Sequence, residues 1–595
     1  MFCYPRFTVF TQFARSALCV GNHQKQVPTR WIEARFSGEE LPKRRCDNRR
    51  LTPQTKGQAM KNQITLDQLP SGARRLNPIT TAFASNTSPA SKGCFLTTML
   101  LAFSVFLPGH AWAATRWVDA TALGPAPGTG CGTKAGYTTI QAAVNAAAPG
   151  DQINVCPGTY TEQVTIPAGK DNIRLRSTRR WEAVIKAPAV MVPDPFPNLA
   201  FTIVRIAGAQ NVTILGFTIT GPGPGGCGTL HYGVRVDSAG SADILGNHIT
   251  QIRDNPLSGC QNGVAILVGR QADLTTGSAR IVGNVIDNYQ KNGPTVSNTG
   301  SQAEIGHNRV LGIGPTVLIA QNGIQVSGGA TAEIEHNFVS GHIYTPQTVV
   351  STGILLFQSG EVLADHNTLT ANDVGIYSFL TSGSSTEHND VRASTFDGIA
   401  LDSETASVAE HNKVRENDGP GISLYSSQTS TVDHNKVEDN SDSGILLSDS
   451  DSNTIGNNEI KHNGTSGPDT TDGIRVDMLS TGNSLHDNHL NDNVTHDCHD
   501  DSSGTGTAMT ANFWVDNHCE TSSPAGLCSD GNSASLETST TYGWDAAYPW
   551  FTSFGDAAGY DWATAYATID TESLLQLAPN IGIGGIHGKT VSPSP

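Results

Sequence analysis

The chain has 595 residues, several times the roughly 150 of a typical domain, which favours several domains or one long repeat array. Its 62 Gly and 30 Pro make up about 15% of the residues, below the roughly 25–30% that marks low-complexity chain, so a folded protein is expected. With 37% hydrophobic and 15% charged residues, the core must be built from small aliphatics and the surface from Asn, Ser, Thr and Gly; collagen, coiled coil and multispan membrane protein are excluded.

The net charge of -17 conceals two different objects. Residues 1–113 carry 15 Lys/Arg against 5 Asp/Glu, whereas residues 114–595 carry 22 against 49. A body this acidic repels nucleic acid and anionic membrane and attracts cations or neutral partners. The charge switch coincides with an apolar run, Cys94 to Leu107, too short to span a bilayer and followed by the small-x-small site Ala111-Trp112-Ala113. Residues 60–113 therefore read as a long n-region and secretion signal, with Met60 as the internal start and cleavage after Ala113. Residues 1–59 read as a leader that is either untranslated or unstructured. The expected mature protein starts at Ala114, is secreted or periplasmic, has no membrane span, and is a monomer.

Residues 114–150 read as an N-terminal cap. Thr138-Thr139-Ile140-Gln141 resembles a capping box, and Ile140, Ala143, Val144 and Ala147 form a helical stripe stopped by Pro149-Gly150, which predicts a helix over 138–148.

Residues 151–495 carry a repeat. Gly375, Gly398, Gly421 and Gly444 are 23 residues apart, and Asn389, Asn412, Asn435 and Asn458 keep the same spacing. Asn367 and Asn488 flank that column, and looser copies reach back to Asn247, giving about ten coils. Within a coil the apolar period is two, as in Ile399 with Leu401 and Ile422 with Leu424, so each coil is made of short strands joined by Gly, Asn, Asp and Ser corners. Such strands bury a face only by stacking coil on coil, which makes the expected fold an all-β, right-handed parallel β-helix solenoid with short helical caps at both ends. The Asn column is expected to form a corner ladder, with Asn367, Asn389, Asn412, Asn435, Asn458 and Asn488 in the left-handed conformation and their amides bonded from coil to coil.

Residues 496–595 read as a C-terminal cap region. Trp562, Ala565, Tyr566 and Ile569 have helical spacing, and Tyr542, Trp544, Tyr548, Trp550, Phe551 and Phe554 precede them, a stretch that serves either as a lid or as a surface for stacking sugars. Seven cysteines follow the signal, and export makes disulfides expected. Cys131 with Cys156 and Cys227 with Cys260 are neighbours in the array and so plausible pairs. Cys498, Cys519 and Cys528 leave one unpaired or intermolecular.

The segment YTTIQAAVNAAAPGDQINVCPGTYTEQVTI and the recurring Asn-x-[Val/Ile/Leu]-x-x-Asn at Asn367, Asn412, Asn435, Asn458 and Asn488 resemble the pectate-lyase-like β-helix superfamily over roughly residues 115–495. The resemblance implies the fold. It does not fix an activity, because that superfamily includes lyases, esterases, hydrolases, epimerases, adhesins and a periplasmic copper-associated family. The chain lacks the Gln-Asp-Thr and Asp-Phe-Ile-Phe-Gly segments of pectin methylesterases, the Asn-Thr-Asp and Arg-Ile-Lys of polygalacturonases, and the Asp-Pro-His-Asp of alginate epimerases. HDCHDDSSGTGTA, followed by ANFWVDN and SPAGLC, is similar to a tail on bacterial exported β-helix proteins of unassigned function, and that resemblance implies Cys498 with Cys528 as a pair and Cys519 as the extra cysteine.

Three columns could carry chemistry. An [Glu/Asp]-His-Asn column runs through Glu335-His336, Asp365-His366, Glu387-His388, Glu410-His411 and Asp433-His434; such rows, about 5 Å apart, could hold Ca²⁺ through oxygen or a transition metal through nitrogen, with Glu410, His411, Asp433 and His434 as the ligand set. A corner ladder of offset charges explains the same column. A second column puts Leu355, Phe357, Tyr377, Phe379 and Tyr425 on the outside of nearly consecutive coils, an apolar strip on which sugar rings could stack or which a loop or the C-terminal segment could cover. A third set offers paired carboxylates for a glycoside hydrolase, Asp402 with Asp449 or Asp451, or a base beside a cation for a polysaccharide lyase acting on a uronate, Asp477 beside Arg475. Solvated turn residues fit these positions equally well. The sequence thus points to an exported protein that contacts extracellular or cell-wall polysaccharide, with Asp402, Asp449, Arg475 and Asp477 as the catalytic set if it turns substrate over. The rival readings are a non-catalytic structural or adhesive solenoid and a periplasmic metal-binding β-helix protein.

Overall fold

A computed structural model of the protein describes residues 113–195, 199–346, 348–465 and 471–529. The leader and secretion signal expected up to residue 112, and the aromatic stretch and helix expected over 542–569, lie outside the described residues.

Three parallel sheets make up the fold. Sheet A has 15 strands, from Thr115–Val118 to Phe513–Val515; sheet B has 14, from Val164–Pro167 to Ser522–Ser523; sheet C has 13, from Gly158–Thr161 to His489–Asn491. The chain visits them in the order A, C, B and then returns to A one coil further on, as in Val408–Glu410, Lys413–Arg415 and Ile422–Tyr425. Three further coils precede the Gly and Asn columns, at residues 152–220, where the corners follow no repeat. Strands Cys498–Asp500, Phe513–Val515 and Ser522–Ser523 continue sheets B, A and B past residue 495, and Thr115–Val118 already belongs to sheet A ahead of the helix.

Every strand sends alternate side chains inward, and stacked identical types form the core. Ile376, Ile399, Ile422, Ile445 and Ile474 stack in sheet B, while Val391, Val414, Val437 and Ile460 stack in sheet C, all fully buried. The glycine column serves this stacking rather than a turn. Gly398 has no left-handed backbone angle, but a Cβ there would sit 2.3 Å from Val414 Cγ1 and 2.6 Å from the Gly421 carbonyl oxygen, so only glycine lets adjacent coils close up.

The corner between sheets A and C differs from the expected one in which residue is left-handed. The positive φ belongs to the residue before each asparagine, namely His388 (φ 50), His411 (φ 55) and His434 (φ 52). The asparagines point inward. Asn412 Nδ2 donates to Asn435 Oδ1 at 3.0 Å and to the Thr386 carbonyl in the previous coil at 2.8 Å, and the pattern runs from Asn247 to Asn517. The closing Asn of each Asn-x-[Val/Ile/Leu]-x-x-Asn motif forms a second ladder at the corner between sheets C and B, with Asn417 Nδ2 donating to Asn440 Oδ1 and Asn440 to Asn463, both at 2.9 Å.

The N-terminal helix spans Ile140–Ala146, shorter than the expected 138–148. Thr139 is its N-cap, accepting from Ala142 N, but Gln141 does not close a capping box: its side chain pairs with the backbone of Thr165 in sheet B. Glu162 instead accepts from the amides of Ile140 and Gln141 at 2.8 and 2.9 Å, a cap supplied from 21 or more residues away.

Disulfides join Cys131 to Cys156, Cys227 to Cys260, and Cys519 to Cys528. The third replaces the pairing of Cys498 with Cys528 that the tail resemblance implied. Cys498 is a buried thiol in sheet B with its Sγ 2.8 Å from Cys519 Sγ, and burial, with Asp497 and Asp472 nearby, pushes its pKa well up. Three disulfides place the folded chain in an oxidising compartment, extracellular or periplasmic. No helix among the described residues is long and apolar enough to cross a membrane.

Candidate functional site

The outward face of sheet B collects the chemistry. Register fixes one row running Arg205, Arg235, Leu267, Thr295, Gln325, Leu355, Tyr377, Ala400, Ser423, Leu446, Arg475 and His499. A second row, two residues along each strand, runs Phe357, Phe379, Asp402, Tyr425 and Ser448. The face is zoned along its length.

At the N-terminal end lies an ion network. Arg235, fully buried, meets Asp237 at 2.7 Å, Asp194 at 3.1 Å and Asp273 at 2.6 Å, while Arg205 meets Asp237 at 2.9 Å and Arg270 meets Asp273 at 2.9 Å. Three cations facing three carboxylates offset the cost of burying each, and the network ties the 187–200 segment and the 271–273 turn to the sheet. Amides and hydroxyls follow: Asn292 Nδ2 donates to Gln325 Oε1 at 2.8 Å and Thr352 Oγ1 to Asn322 Oδ1 at 2.9 Å.

The aromatic zone comes next, and it is not the bare strip expected. Phe357, Phe379 and Tyr425 are 2%, 8% and 5% exposed; Tyr377 alone is half-buried. Phe357 packs on Phe379 with ring centroids 5.6 Å apart, and Tyr377 stacks on Phe379 at 5.9 Å. Phe396, from the short connection ahead of Ile399–Asp402, and Val350 close against Tyr377, Ala400 and Tyr425. Alternation along single strands gave the outward direction correctly but could not show what the connections bring over it.

Asp402 sits in the same row, between Phe379 and Tyr425. Tyr377 Oη donates to its Oδ2 at 2.8 Å and Ser403 Oγ to its Oδ1 at 2.9 Å. Burial pushes the Asp402 carboxyl up to about 7; those two hydrogen bonds pull the other way, and the carboxylates of Glu404 and Asp397 add to the rise. Asp397, which sequence reasoning missed, accepts from Ser423 Oγ at 2.6 Å and Tyr425 Oη at 3.2 Å, and burial raises it to about 6. Two carboxyls at the two ends of one coil's strand thus both have raised pKa values, Asp397 reaching across to Ser423 and Tyr425 of the next coil.

Arg475 is not paired with Asp477. Its Nη1 donates to Asp472 Oδ2 at 2.9 Å and its Nη2 to Asp501 Oδ2 at 2.6 Å. Asp472 also takes His499 Nδ1 at 3.0 Å and His496 Nδ1 at 3.1 Å, and His499 Nε2 meets Asp501 Oδ1 at 3.1 Å. Burial disfavours both charges, but the bonds from His496 and His499 and the nearby Arg475 hold Asp472 far below the usual carboxylate range, and the two carboxylates lift His499 to about 9. The tail motif HDCHDD was the signal for this cluster.

The remaining sequence candidates hold turns. Asp477 accepts from the amides of Asp449, Leu479 and Ser480 and from the hydroxyls of Ser448 and Ser480, so its oxygens are spent on the corner after sheet B. Asp449 is exposed in that corner in the left-handed conformation, and Asp451 accepts from Thr481 N and Oγ1. Asp402 and Arg475 face the same side of sheet B; Asp449 and Asp477 do not join them in one catalytic set.

The Glu/Asp-His column lies elsewhere, at the edge of sheet A where it turns into sheet C. His307, His336, His366, His388, His411 and His434 stack in register with centroids 4.7–5.1 Å apart. In the expected metal set, Asp433 takes His434 Nδ1 at 2.6 Å and Asn457 Nδ2 at 2.8 Å, whereas His411 only stacks on His434, at 5.0 Å. One carboxylate shared by two imidazoles occurs instead at Asp365, which meets His366 Nδ1 at 2.7 Å and His388 Nδ1 at 3.2 Å. A groove of about 730 Å³ on the neighbouring outward face of sheet A, lined by Ser241, Arg280, Gln302, Glu304, Glu333 and Leu363 among others, has no aromatic ring in its walls and is separate from Tyr377 and Asp402.

A family model described as "Right handed beta helix region" matches residues 319–460 and 430–541. Solved structures similar to the chain include a DFA-IIIase from Arthrobacter chlorophenolicus A6 in complex with GF2 (15% identity, 62% of this chain and 93% of that one, TM-score 0.39) and the A-module of the mannuronan C-5 epimerase AlgE4 from Azotobacter vinelandii (16%, 62% and 94%, TM-score 0.38). A third is XylC in complex with xylose (12%, 63% and 75%, TM-score 0.31). No curated protein matches it in sequence. Three parallel sheets visited in a constant order, asparagine ladders at two of the corners and the family match over residues 319–541 together establish that the chain folds as a right-handed parallel β-helix.

Proposed function

We propose that this is an exported protein, released by cleavage near Ala113, that binds extracellular or cell-wall polysaccharide on the outward face of sheet B and acts on it by proton transfer. The observation that carries the reading is the pairing of Tyr377 with Asp402. The half-buried ring of Tyr377 is the accessible end of an aromatic cluster, and its hydroxyl touches a carboxyl whose pKa is raised to about 7. An aromatic platform beside a carboxyl that keeps a large share of its protons near neutral pH is what a general acid for a glycosidic oxygen requires. Asp397, five residues earlier on the same coil and also raised, supplies the second carboxyl of a hydrolase; the cationic His499 and Arg475 further along the face would instead serve a lyase by neutralising a uronate. A polymer would meet this face at Tyr377, the half-buried ring, since the ions and amides toward the N-terminal end are buried.

The test is a glycan array with the mature protein, followed by mass analysis of products from whatever binds. Asp402→Asn is expected to retain binding and abolish product. Binding with no product from either protein would make the molecule a non-catalytic adhesive solenoid, and absence of any glycan bound would overturn the reading altogether.

A further inference from the structure

The histidine column has geometry that the polysaccharide reading does not use. Outside this run the left-handed corner residue is Gly246, Gly283, Asn457, Asp487 or Asp516; inside it, six successive coils carry histidine. Asp365 holds two of the imidazoles at once, His366 and His388, through their Nδ1 atoms. An ionised carboxylate only accepts hydrogen bonds, so each Nδ1 donates to Asp365, and in the neutral imidazole each Nε2 keeps its lone pair. Carboxylate to Nδ1–H, with Nε2 left free to ligate, is the outer-shell arrangement that fixes histidine ligands in metal sites.

The two rings are the closest pair in the column, 4.7 Å apart and 13° from parallel, with side chains 50% and 44% exposed. Two Nε2 atoms on one ion, each at about 2.1 Å, stand no more than about 4 Å apart. Reaching that geometry requires each ring to tilt toward the other from the stacked arrangement, a side-chain rotation open to two exposed rings. Asp433 orients only His434, and Glu335 approaches His336 no closer than 3.9 Å, so neither neighbouring pair is held as firmly.

We propose that His366 and His388, oriented together by Asp365, form a binding site for a divalent transition-metal ion of the Zn²⁺, Cu²⁺ or Ni²⁺ class on the outer edge of sheet A. Imidazole donors select these ions over Ca²⁺, which needs a shell of oxygens. The stacked pairs His411 with His434 and His307 with His336 supply weaker copies of the same site.

Equilibrium dialysis of the chelator-stripped, untagged protein against Zn²⁺ alone, and electron paramagnetic resonance with Cu²⁺ alone, test this. The strongest Zn²⁺ site is expected to disappear in His366→Gln/His388→Gln. In Asp365→Asn it should weaken tenfold to a hundredfold, as loss of an outer-shell partner does. The copper spectrum should carry hyperfine structure from two nitrogens, lost in the double variant, and excess Ca²⁺ should not displace either ion. His496→Gln, in the other histidine cluster, should leave the tightest site intact. Circular dichroism confirms that the exposed substitutions leave the fold unchanged. Unchanged tight binding in the double variant, or its loss in His496→Gln, would overturn the assignment.

Discussion

Tyr377 and Asp402 lie in adjacent coils of sheet B, in rows two residues apart, and the tyrosine hydroxyl crosses from one row to the other to reach the carboxyl at 2.8 Å. The contact joins an aromatic zone to an acidic zone, and it depends on a coil spacing that is constant only because the corners between the sheets are held by ladders.

Those ladders have a measurable energy. Asn412 donates from both Nδ2 and its backbone amide to Asn435 Oδ1, at 3.0 and 2.9 Å, in a fully enclosed corner. Asn435→Leu removes the acceptor and leaves Asn412 unsatisfied, which should cost about 1–3 kcal/mol for each buried group left without a partner. Denaturant unfolding measures it, and an unchanged midpoint would mean that the ladder contributes nothing.

The glycine column predicts a steric penalty. Gly421→Ala places a methyl 2.4 Å from Val437 Cγ1 and 2.7 Å from the Gly444 carbonyl oxygen, so coils must part. A loss of about 1–3 kcal/mol is expected, as for other overpacked cores. Gly421→Ala with Val437→Ala should recover part of it, and thermal melts of the single and double variants decide.

Stability should depend on pH through Asp402. A carboxyl raised from 3.8 to about 7 in the folded state binds a proton that the unfolded chain has already released. Its contribution is therefore complete below about pH 4 and is lost as pH rises through 7. Asp402→Asn removes the proton uptake, so the difference in stability between wild type and variant should move against the wild type between pH 4 and 7. A pH-independent difference would contradict the raised pKa.

The sulfur chemistry is equally specific. Peptide mapping under non-reducing conditions should recover Cys519 joined to Cys528, with Cys498 as a thiol that alkylates only after denaturation because it is buried and its pKa is pushed up. Recovery of Cys498 joined to Cys528 would contradict it.

The fold was legible because its signal is periodic. A period of two inside a coil and of 23 between coils leaves stacked parallel strands as the consistent solution, and the family match and three sheets agree. The coils at residues 152–220 fall within the expected 151–495, although their corners use no fixed residue and the Asn column begins only at Asn247; the closing Asn of the motif was visible in the spacing but not recognised as a second ladder. The site was less legible. Alternation placed Tyr377, Phe379, Asp402 and Arg475 outward, yet partners were assigned by nearness along the strand, which paired Arg475 with Asp477. The structure gives Arg475 to Asp472 three residues back and to Asp501 one coil further on, because stacking brings residues 24–30 apart closer than residues two apart on one strand.

The most direct test of the central claim is the affinity of the mature protein for a bound polysaccharide, compared between wild type and Tyr377→Ala, with Asp402→Asn assayed beside it for product. Loss of the ring should weaken binding by about 1–2 kcal/mol, a five- to thirtyfold rise in Kd, and loss of its packing and of the hydroxyl bond to the buried Asp402 should also cost about 1–3 kcal/mol of folding stability, so affinity is measured well below the melting temperature of the variant. Asp402→Asn should bind as wild type and release no product. Equal affinity in wild type and Tyr377→Ala, with full turnover retained in Asp402→Asn, would place the polysaccharide site away from the outward face of sheet B.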